Sequence, residues 1–214
     1  MDSKNVSQAV IRRLPRYYRY LSKLKDEGIE RISSGELSKL MRITASQVRQ
    51  DLNCFGGFGQ QGYGYTVDEL YDQIAKILGV DKQCSAIVIG AGDLGRSIAR
   101  YRNFEKYGFV IREVFDINKD LINTPIAGFL VKSMDKLEDY LKHNSVDIAI
   151  LTVPRDVTRE IAERVTSLGV KGLWNFSPMG VLVDDENVVV ENVHLSDSLM
   201  VLGYKFRSRD NKIN

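Results

Sequence analysis

Cysteine, histidine and tryptophan are scarce in this chain of 214 residues, which has two, two and one of them respectively. Its cysteines, Cys54 and Cys84, cannot build a disulfide framework and show no metal-ligand spacing. We therefore predict that the protein holds no metal and works in a reducing compartment, the cytoplasm. No apolar run approaches the roughly 18 residues of a transmembrane helix, and the amino-terminal segment is charged where a signal peptide is apolar. We expect no association with a membrane.

Charge is distributed unevenly along the chain, although the net charge is only +2. Residues 1–65 carry a net charge of +5, residues 66–203 carry −6 and residues 204–214 carry +3. The content of 43% hydrophobic and 27% charged residues is ordinary for a globular protein, and the length suits one or two domains. A basic front on an acidic body indicates two domains, the first with an anionic partner. A random distribution of surface charge is the alternative.

Two short helices joined by a turn are predicted in the basic front, after a basic helix that begins near Pro15. Ser33 and Glu36 have capping-box spacing, and so do Thr44 and Gln47. Two capped helices about three residues apart indicate a helix-turn-helix. The second helix carries long polar side chains that can reach base edges in a major groove, with a solvated helix face as the alternative. These side chains belong to Ser46, Gln47, Arg49, Gln50 and Asn53.

Glycines alternate with aromatic residues directly after this helix. Five glycines fall in residues 56–64, interleaved with Phe58 and Tyr63 and followed by Tyr65. Glycine permits the tight geometry of a hairpin turn, and the aromatic rings could pack one face of the hairpin. The segment is therefore predicted to be the wing of a winged helix, which typically lies along DNA. A flexible glycine-rich linker is the alternative.

A dinucleotide-binding pattern follows in the second segment. The apolar strand 85–89 runs into Gly90-Ala91-Gly92-Asp93-Leu94-Gly95, a helix follows, and the strand 110–115 ends at Asp116, 21 residues after Gly95. In such a pattern the first glycine allows a tight turn, the second lets backbone approach a pyrophosphate, and the third lets helix pack on strand. Asp116 would accept hydrogen bonds from the adenosine ribose and repel a 2′-phosphate, which favours NAD(H). A Rossmann domain with an empty or different nucleotide site is the alternative.

Two later strands are predicted to end at the same cleft, because ligands meet the carboxyl ends of strands in parallel sheets. Their end residues are Thr152, Val153 and Pro154, then Asn175 and Phe176, although each alone is more often a plain turn residue. The last apolar stretch, residues 197–206, is predicted to be a helix. A terminal helix of this kind needs a partner surface, either on its own domain or in a second subunit.

Several of these motifs occur in an order typical of one known family. They are residues 13–15, 17–20, 33–37, 48–52, 55–56, 59 and 62–65 in the front, and 90–95, 152–154 and 175–178 in the second segment. With these motifs the sequence closely resembles the Rex family, the redox-sensing transcriptional repressors of bacteria. The resemblance covers almost the whole length.

The resemblance implies an α/β fold class: an N-terminal winged helix-turn-helix, a Rossmann-type parallel-sheet domain and a C-terminal helix that is swapped between subunits. The implied boundaries are 1–80, 81–193 and 194–214. It also implies a homodimer that binds a palindromic double-stranded operator and is released by NADH, while NAD+ permits binding. Tyr101 would lie near the nicotinamide and Ile117 would belong to the cofactor site. The expected DNA contacts are Arg12, Arg13, Arg16, Ser33, Ser34, Thr44, Ser46, Gln47, Arg49, Gln50, Gln60 and Tyr63.

The sequence departs from the usual family pattern at a few positions. Gln50 stands where Lys is usual, and Gln60 and Gln61 stand at basic positions, which predicts a changed base preference and a weaker salt dependence. Asp93 replaces an Arg found in some members. His194 stands where many members have an Asp that pairs with an N-terminal arginine, here Arg19 by position. Asp197, one turn further on, is a candidate substitute in this switch.

An enzyme is the main alternative, either a small NAD-dependent oxidoreductase or a CoA-binding-type Rossmann protein. A dehydrogenase would need an acid or base beside the nicotinamide, and neither His143 nor His194 falls on a predicted strand end there. We therefore expect that the protein is not an enzyme. A constitutive DNA-binding protein is a third interpretation, and it predicts DNA affinity that ignores nucleotides. Cys54, beside the recognition helix, is expected to be a small core residue, with oxidant sensing as the alternative.

Overall fold

A computed structural model of the chain describes residues 6–56 and 63–210. The fold divides into two compact units, Met1–Lys82 and Gln83–Asn214. Gln60, Gln61 and Phe58 lie outside the described residues, so the predictions for them and for most of the wing stay predictions.

The first unit is built from five helices and a small two-stranded sheet within its described residues. Its helices are α1 (Gln8–Ile11), α2 (Leu14–Asp26), α3 (Ser34–Met41), α4 (Ala45–Asn53) and α5 (Val67–Leu78), and its strands are β1 (Arg31–Ile32) and β2 (Tyr65–Thr66).

Helices α3 and α4 form the predicted helix-turn-helix, with three residues between them. The Ser33 capping box is confirmed, because its hydroxyl accepts the Glu36 N–H while the Glu36 carboxylate accepts the Ser33 N–H. The second predicted box is only half right. Thr44 accepts the Gln47 N–H at 3.1 Å, but the Gln47 amide donates to Asp51 instead of returning to the cap. Thr66 begins α5 without any cap hydrogen bond from its side chain.

The core of this unit is formed by one face of each helix. Tyr17 and Leu21 of α2 are fully buried, as are Leu37 of α3 and Val48 of α4. Burying a leucine side chain stabilises a fold by about 1.5–3 kcal/mol, so these apolar stripes hold the helices together. Leu40 of α3 is exposed and lies outside this core.

Strand β2, which ends the predicted wing, pairs antiparallel with β1, which precedes the helix-turn-helix. Gly64 makes this possible: its φ is +72°, and a Cβ there would lie 2.6 Å from the carbonyl oxygen of Ile32. Tyr65 is buried, whereas Tyr63 is exposed and lies beneath the Arg31 guanidinium. The prediction that both rings pack one face of the hairpin is therefore wrong for Tyr63.

The second unit is a twisted parallel sheet with helices on both faces. Within the described residues its six-stranded sheet has the order β10-β9-β8-β3-β4-β7, every neighbouring pair being parallel, and β5 and β6 form a separate hairpin. The strands are β3 (Cys84–Ile89), β4 (Phe109–Asp116), β5 (Pro125–Ile126), β6 (Phe129–Leu130), β7 (Lys132–Ser133), β8 (Ile148–Leu151), β9 (Gly172–Asn175) and β10 (Val189–Asn192). The helices are α6 (Asp93–Arg100), α7 (Leu137–His143), α8 (Arg155–Ser167) and α9 (Leu195–Asp210), with 3₁₀ helices at Arg102–Tyr107 and Met134–Lys136.

The strand order is that of a Rossmann fold. In chain order the sheet reads 3-2-1-4-5-6, so the direction of winding reverses between β3 and β8. Alternate residues of β3 enter different cores: Ile87 and Ile89 pack with α7 and α8, while Ala86 and Val88 pack with α6. Because the crevice of such a sheet opens at the reversal point, the carboxyl ends of β3 and β8 define where a ligand would bind.

Candidate functional site in each unit

The glycine-rich loop after β3 has the geometry that its sequence predicted. Gly90 has a φ of +100°, and a Cβ there would lie 2.5 Å from the Thr152 carbonyl oxygen. A Cβ on Gly95 would lie 1.9 Å from the Gly90 carbonyl oxygen. Gly92 instead faces open space and begins α6 without a side-chain cap. The N–H groups at the start of α6 therefore point from an uncapped helix end toward the crevice, where an anionic group would be stabilised.

Asp116 fastens this loop to the end of β4. One oxygen of its carboxylate accepts the Ala91 N–H, and the other accepts the Asn118 N–H at 2.7 Å. Each carboxylate oxygen has a second lone pair, so the group can still accept hydrogen bonds from a ribose. From the opposite side, the Thr152 hydroxyl donates to the Gly90 carbonyl at 2.8 Å, and Arg96 Nε donates to the Ala91 carbonyl at 2.8 Å.

A cavity of about 520 Å³ opens beside the glycine loop. Its size falls within the range of about 300–1,000 Å³ that is typical of small-molecule sites, and its wall is mostly apolar with one carboxylate. Nine residues of the predicted cofactor set line it: Gly90, Gly92, Leu94, Asp116, Ile117, Thr152, Val153, Pro154 and Phe176.

Other residues of the predicted cofactor set lie behind or beside this cavity. Asn175 is buried, and its amide group donates to the Met179 carbonyl and to Asn192, so its place in the cofactor set stays a prediction. Its role is to tie the end of β9 to β10. Ala91 is buried in the loop and Gly95 is buried in α6. Asp93 is exposed in the first turn of α6 and carries a negative charge there.

Tyr101 lies just past the end of α6, and its side chain is half exposed. Its ring begins a row of four aromatic side chains. Tyr101 contacts Phe104 edge-on at 4.8 Å between ring centroids, Phe104 contacts Trp174 at 5.5 Å, and Trp174 contacts Phe176 at 4.6 Å. Because Phe176 lines the cavity, the row connects Tyr101 to the site although Tyr101 is not among the described lining residues.

Sequence reasoning missed seven lining residues, of which all but Asn118 are apolar. Asn118 lies two residues after the acid at the end of β4, and this position alone was a usable signal. Val157 and Ile161 belong to the apolar stripe of α8, and their position near the start of that helix places them at the strand ends. The remaining ones have no sequence signal of their own: Ile89, Leu121, Met134 and Pro178.

The candidate DNA surface of the first unit is the outer face of α4. Ser46, Arg49 and Gln50 are exposed there, and Thr44 precedes them at the helix start. Arg49 also donates to the Ser34 hydroxyl at 3.1 Å, which links α4 to the start of α3. Gln47 is half-buried because its amide group is held by Asp51.

Two further arginines expected to contact DNA have intramolecular partners. The Arg13 guanidinium forms two hydrogen bonds with Asp51, and Arg16 donates to the Met41 carbonyl at 2.6 Å. Arg12 and Arg19 are exposed. The basic segment around the start of α2 therefore mixes structural arginines with solvent-facing ones.

Cys54 and the proposed switch residues also have defined positions. Cys54 is exposed, so its expected core role is wrong; its thiol donates to the Gln50 carbonyl. His194 is half-buried just before α9, and its carbonyl accepts the N–H of Asp197, which is exposed.

Across the described ranges, no group of histidine, cysteine or acidic side chains is arranged to hold a metal, and no helix has the length and apolarity to span a membrane.

Sequence and structure comparisons place these sites in a known context. Residues 5–53 match the family described as "Putative DNA-binding protein N-terminus", and residues 81–179 match the CoA binding domain family. The redox-sensing transcriptional repressor Rex of Clostridioides difficile (strain 630) is 52% identical over 204 residues, which cover 95% of this chain and 97% of that protein. The chain belongs to the Rex family.

Solved structures of a Rex-family repressor, RSP, agree with this assignment. RSP in complex with NAD+ and operator DNA superposes with a TM-score of 0.91 at 50% identity, covering 97% of this chain and 95% of that one. RSP in complex with NADH superposes with a TM-score of 0.89 at 46% identity, covering 99% and 100%. These Rex relatives are repressors and not enzymes.

Proposed function

We propose that this protein is a redox-sensing transcriptional repressor that binds a palindromic operator as a homodimer and is released by NADH. The observation that carries the proposal is the open cavity at the reversal point of the sheet, beside a glycine loop in the same chain as a helix-turn-helix. The similarity to Rex proteins over almost the whole chain supports the proposal. It is also supported by the solved complexes of the Rex-family repressor RSP with NAD+ and operator DNA and with NADH. A repressor acts on chromosomal DNA, so we propose a cytoplasmic location.

The nucleotide would be held by the nine lining residues named above. The uncapped start of α6 at Gly92, Asp93 and Leu94 suits a pyrophosphate, and Asp116 suits the adenosine ribose. Because the adenosine half is identical in NADH and NAD+, discrimination has to arise at the nicotinamide end. Thr152, Pro154 and Phe176 are our candidates there, with Tyr101 acting through the aromatic row.

The operator would be read by α4 and held by nearby basic groups. We propose that Arg49 and Gln50, which are exposed on α4, reach base edges and that the exposed Arg12 reaches a phosphate. Palindromic operators need two recognition helices about 34–36 Å apart, hence a dimer. The apolar helix α9 is our candidate for the exchanged element. We propose 1–80, 81–193 and 194–214 as the working domain boundaries.

Release of DNA follows by linkage if NADH prefers a dimer arrangement that DNA does not. Moving binding from 99:1 to 1:99 requires about 5.5 kcal/mol of differential affinity. Arg19, with His194 or Asp197, is our candidate for the pair that differs between the two arrangements. Arg19→Ala and Asp197→Ala should then both alter release, and an unchanged release in both variants would remove the pair from the mechanism.

The proposed function predicts a nucleotide-specific release of DNA. We expect an A·T-rich palindromic duplex to be bound at fixed salt, and to be released by micromolar NADH but not by NAD+, as measured by fluorescence anisotropy. NADPH should act weakly, and CoA belongs in the same titration because residues 81–179 match the CoA binding domain family. Release by CoA alone, or turnover of NADH with a small carbonyl substrate, would contradict the proposal. Binding that ignores every nucleotide would indicate a constitutive DNA-binding protein.

Asp116→Ser should reduce the preference for NADH over NADPH. The substitution removes the carboxylate that would repel a 2′-phosphate, and it also loosens the loop by freeing the Ala91 N–H. We expect NADH affinity to fall about tenfold and NADPH affinity to fall less, measured by calorimetric titration. Asp120→Ser is the matched control, because it removes the same charge from an exposed residue that does not line the cavity. An unchanged NADH:NADPH ratio in Asp116→Ser would remove Asp116 from cofactor selection.

A further inference from the structure

A buried carboxylate lies beneath the recognition helix α4. The Asp51 side chain is fully buried and is contacted by four donor atoms. Arg13 Nε donates to Oδ2 at 2.6 Å and its terminal nitrogen donates to Oδ1 at 2.7 Å. The Tyr17 hydroxyl adds a bond of 3.1 Å, and the Gln47 amide adds one of 2.8 Å. Tyr17 belongs to α2 and Arg13 directly precedes that helix, so the carboxylate connects α4 to α2.

This cluster is ionised and geometrically fixed. Burial by itself would raise the pKa of Asp51, but the hydrogen bonds from Arg13, Gln47 and Tyr17 outweigh it and hold the pKa below its usual range. The same hydrogen bond raises the pKa of Arg13. A planar guanidinium that meets a carboxylate with two parallel bonds allows little rotation about either partner, so the pair defines an orientation as well as a distance.

Arg13 differs from the adjacent Arg12 in its exposure to solvent and in the compensation of its charge. Its side chain is only 24% exposed and its charge is compensated by Asp51, while Arg12 is exposed to solvent. A compensated guanidinium with its Nε and one terminal nitrogen engaged is a poor partner for a phosphate. Arg49 and Gln50, the exposed side chains placed to read bases, directly precede Asp51 in α4.

We propose that Asp51 is a positioning residue for operator recognition, and that Arg13 and Tyr17 act on DNA through Asp51, not by contacting it. The proposal rests on the proposed function and deepens it. Hydrogen bonds to base edges need a well-defined side-chain position, whereas phosphate contacts tolerate small shifts and carry no sequence information. The pairing therefore sets the ratio of operator affinity to non-specific affinity.

Asp51→Asn tests this proposal by the sign of its effect. The change removes a negative charge from a DNA-binding unit, so electrostatics alone would strengthen binding to any duplex. A positioning role of Asp51 predicts the opposite for the operator. Operator affinity should fall about tenfold, which is the scale of one base contact. Affinity for a random duplex should stay equal or rise. The operator probe is a palindromic duplex that the wild-type protein enriches from a random library, and the readout is anisotropy at several salt concentrations.

Arg13→Gln and Arg12→Gln form a matched pair that removes the same charge from neighbouring positions. We expect Arg12→Gln to weaken both duplexes alike and to reduce the salt slope by about one phosphate contact. Arg13→Gln should weaken mainly the operator complex and leave the salt slope unchanged. A reduced slope in Arg13→Gln, or tighter operator binding by Asp51→Asn, would overturn the proposal.

Further controls separate a failure of the inference from a folding defect and from a failure of the proposed function. Tyr17→Phe deletes a single bond to Asp51 while keeping the ring, so it should show the same trend with a smaller loss if Asp51→Asn fails to fold. NADH affinity of the second unit should stay at the wild-type value in every variant. A wild-type protein that enriches no duplex would overturn the proposed function together with this inference. An enriched operator whose preference survives both Asp51→Asn and Tyr17→Phe would overturn the inference alone.

Discussion

Gly95→Ala should abolish NADH binding and unfold the second unit at a lower temperature, whereas Gly92→Ala should abolish NADH binding alone. A Cβ on Gly95 would lie 1.9 Å from a backbone oxygen of Gly90, and that contact forces α6 away from the sheet. Overpacking of a well-packed interior costs about 3 kcal/mol in a case this close, which lowers the Tm by roughly 10 °C. A Cβ on Gly92 meets no atom within 4 Å, so its cost appears only when a pyrophosphate approaches the backbone.

The two effects are separated by measuring thermal unfolding by circular dichroism and NADH affinity by calorimetry. Gly180→Ala is the matched control, because a Cβ there also meets nothing within 4 Å and the residue does not line the cavity. It should leave both quantities at the wild-type value. Normal NADH affinity in Gly92→Ala would place the pyrophosphate elsewhere, and a normal Tm in Gly95→Ala would mean that α6 adjusts without loss.

The glycine loop was predictable from sequence because a strand, three glycines, a helix and Asp116 stand at a recognisable spacing. The steric reasons for the glycines lie partly elsewhere in the fold, since a Cβ on Gly90 would meet the Thr152 carbonyl after β8 and a Cβ on Gly95 would meet the Gly90 carbonyl. The same reasoning did not predict that the Asn175 side chain is buried. Its position at the end of β9 was predictable, but the direction of its side chain depends on β10, a strand with no clear signal in the sequence.

The arginines just before α2 show a second limit of sequence reasoning. Net charge identified a basic segment, yet Arg12 and Arg13 are adjacent and only Arg13 is paired with Asp51, so a count of charges does not tell them apart. The usable signal was in α4. Asp51 occupies the apolar stripe between Val48 and Leu52, and an acid at such a position predicts a buried partner of opposite charge. Arg13, which was expected to contact DNA, is therefore paired with Asp51 inside the unit.

The hairpin of β5 and β6 and the exposure of Cys54 were beyond the sequence signals used. Ala127 has a φ of +55° beside Gly128 at +95°, which makes a tight turn with a non-glycine residue in an unfavourable conformation. Cys54 caps the end of α4, where the helix meets the segment that leads to the wing. In both cases neighbouring structure, not local preference, decided the outcome.

Replacing Leu199 and Leu202 with glutamate should convert the protein to monomers and abolish operator binding. The middle of helix α9, residues 199–206, carries apolar side chains on every side, and helix segments of that kind are buried in their working state. Leu199, Leu202, Tyr204 and Phe206 are each more than half exposed in the isolated chain. Burying such side chains against a second subunit would contribute on the order of 10 kcal/mol per subunit, and two buried carboxylates would remove most of it.

Sedimentation velocity at micromolar concentration measures the oligomeric state, and Leu199→Met with Leu202→Met is the matched control, since it keeps the apolar surface and nearly the same volume. The control should remain dimeric. NADH should still bind the glutamate variant, because the lining residues of the cavity all lie in one unit of one chain. A glutamate variant that stays dimeric would place α9 outside the dimer interface. A dimer that persists but no longer binds the operator would instead assign α9 to setting the angle between the two recognition helices, the quantity that we propose NADH changes.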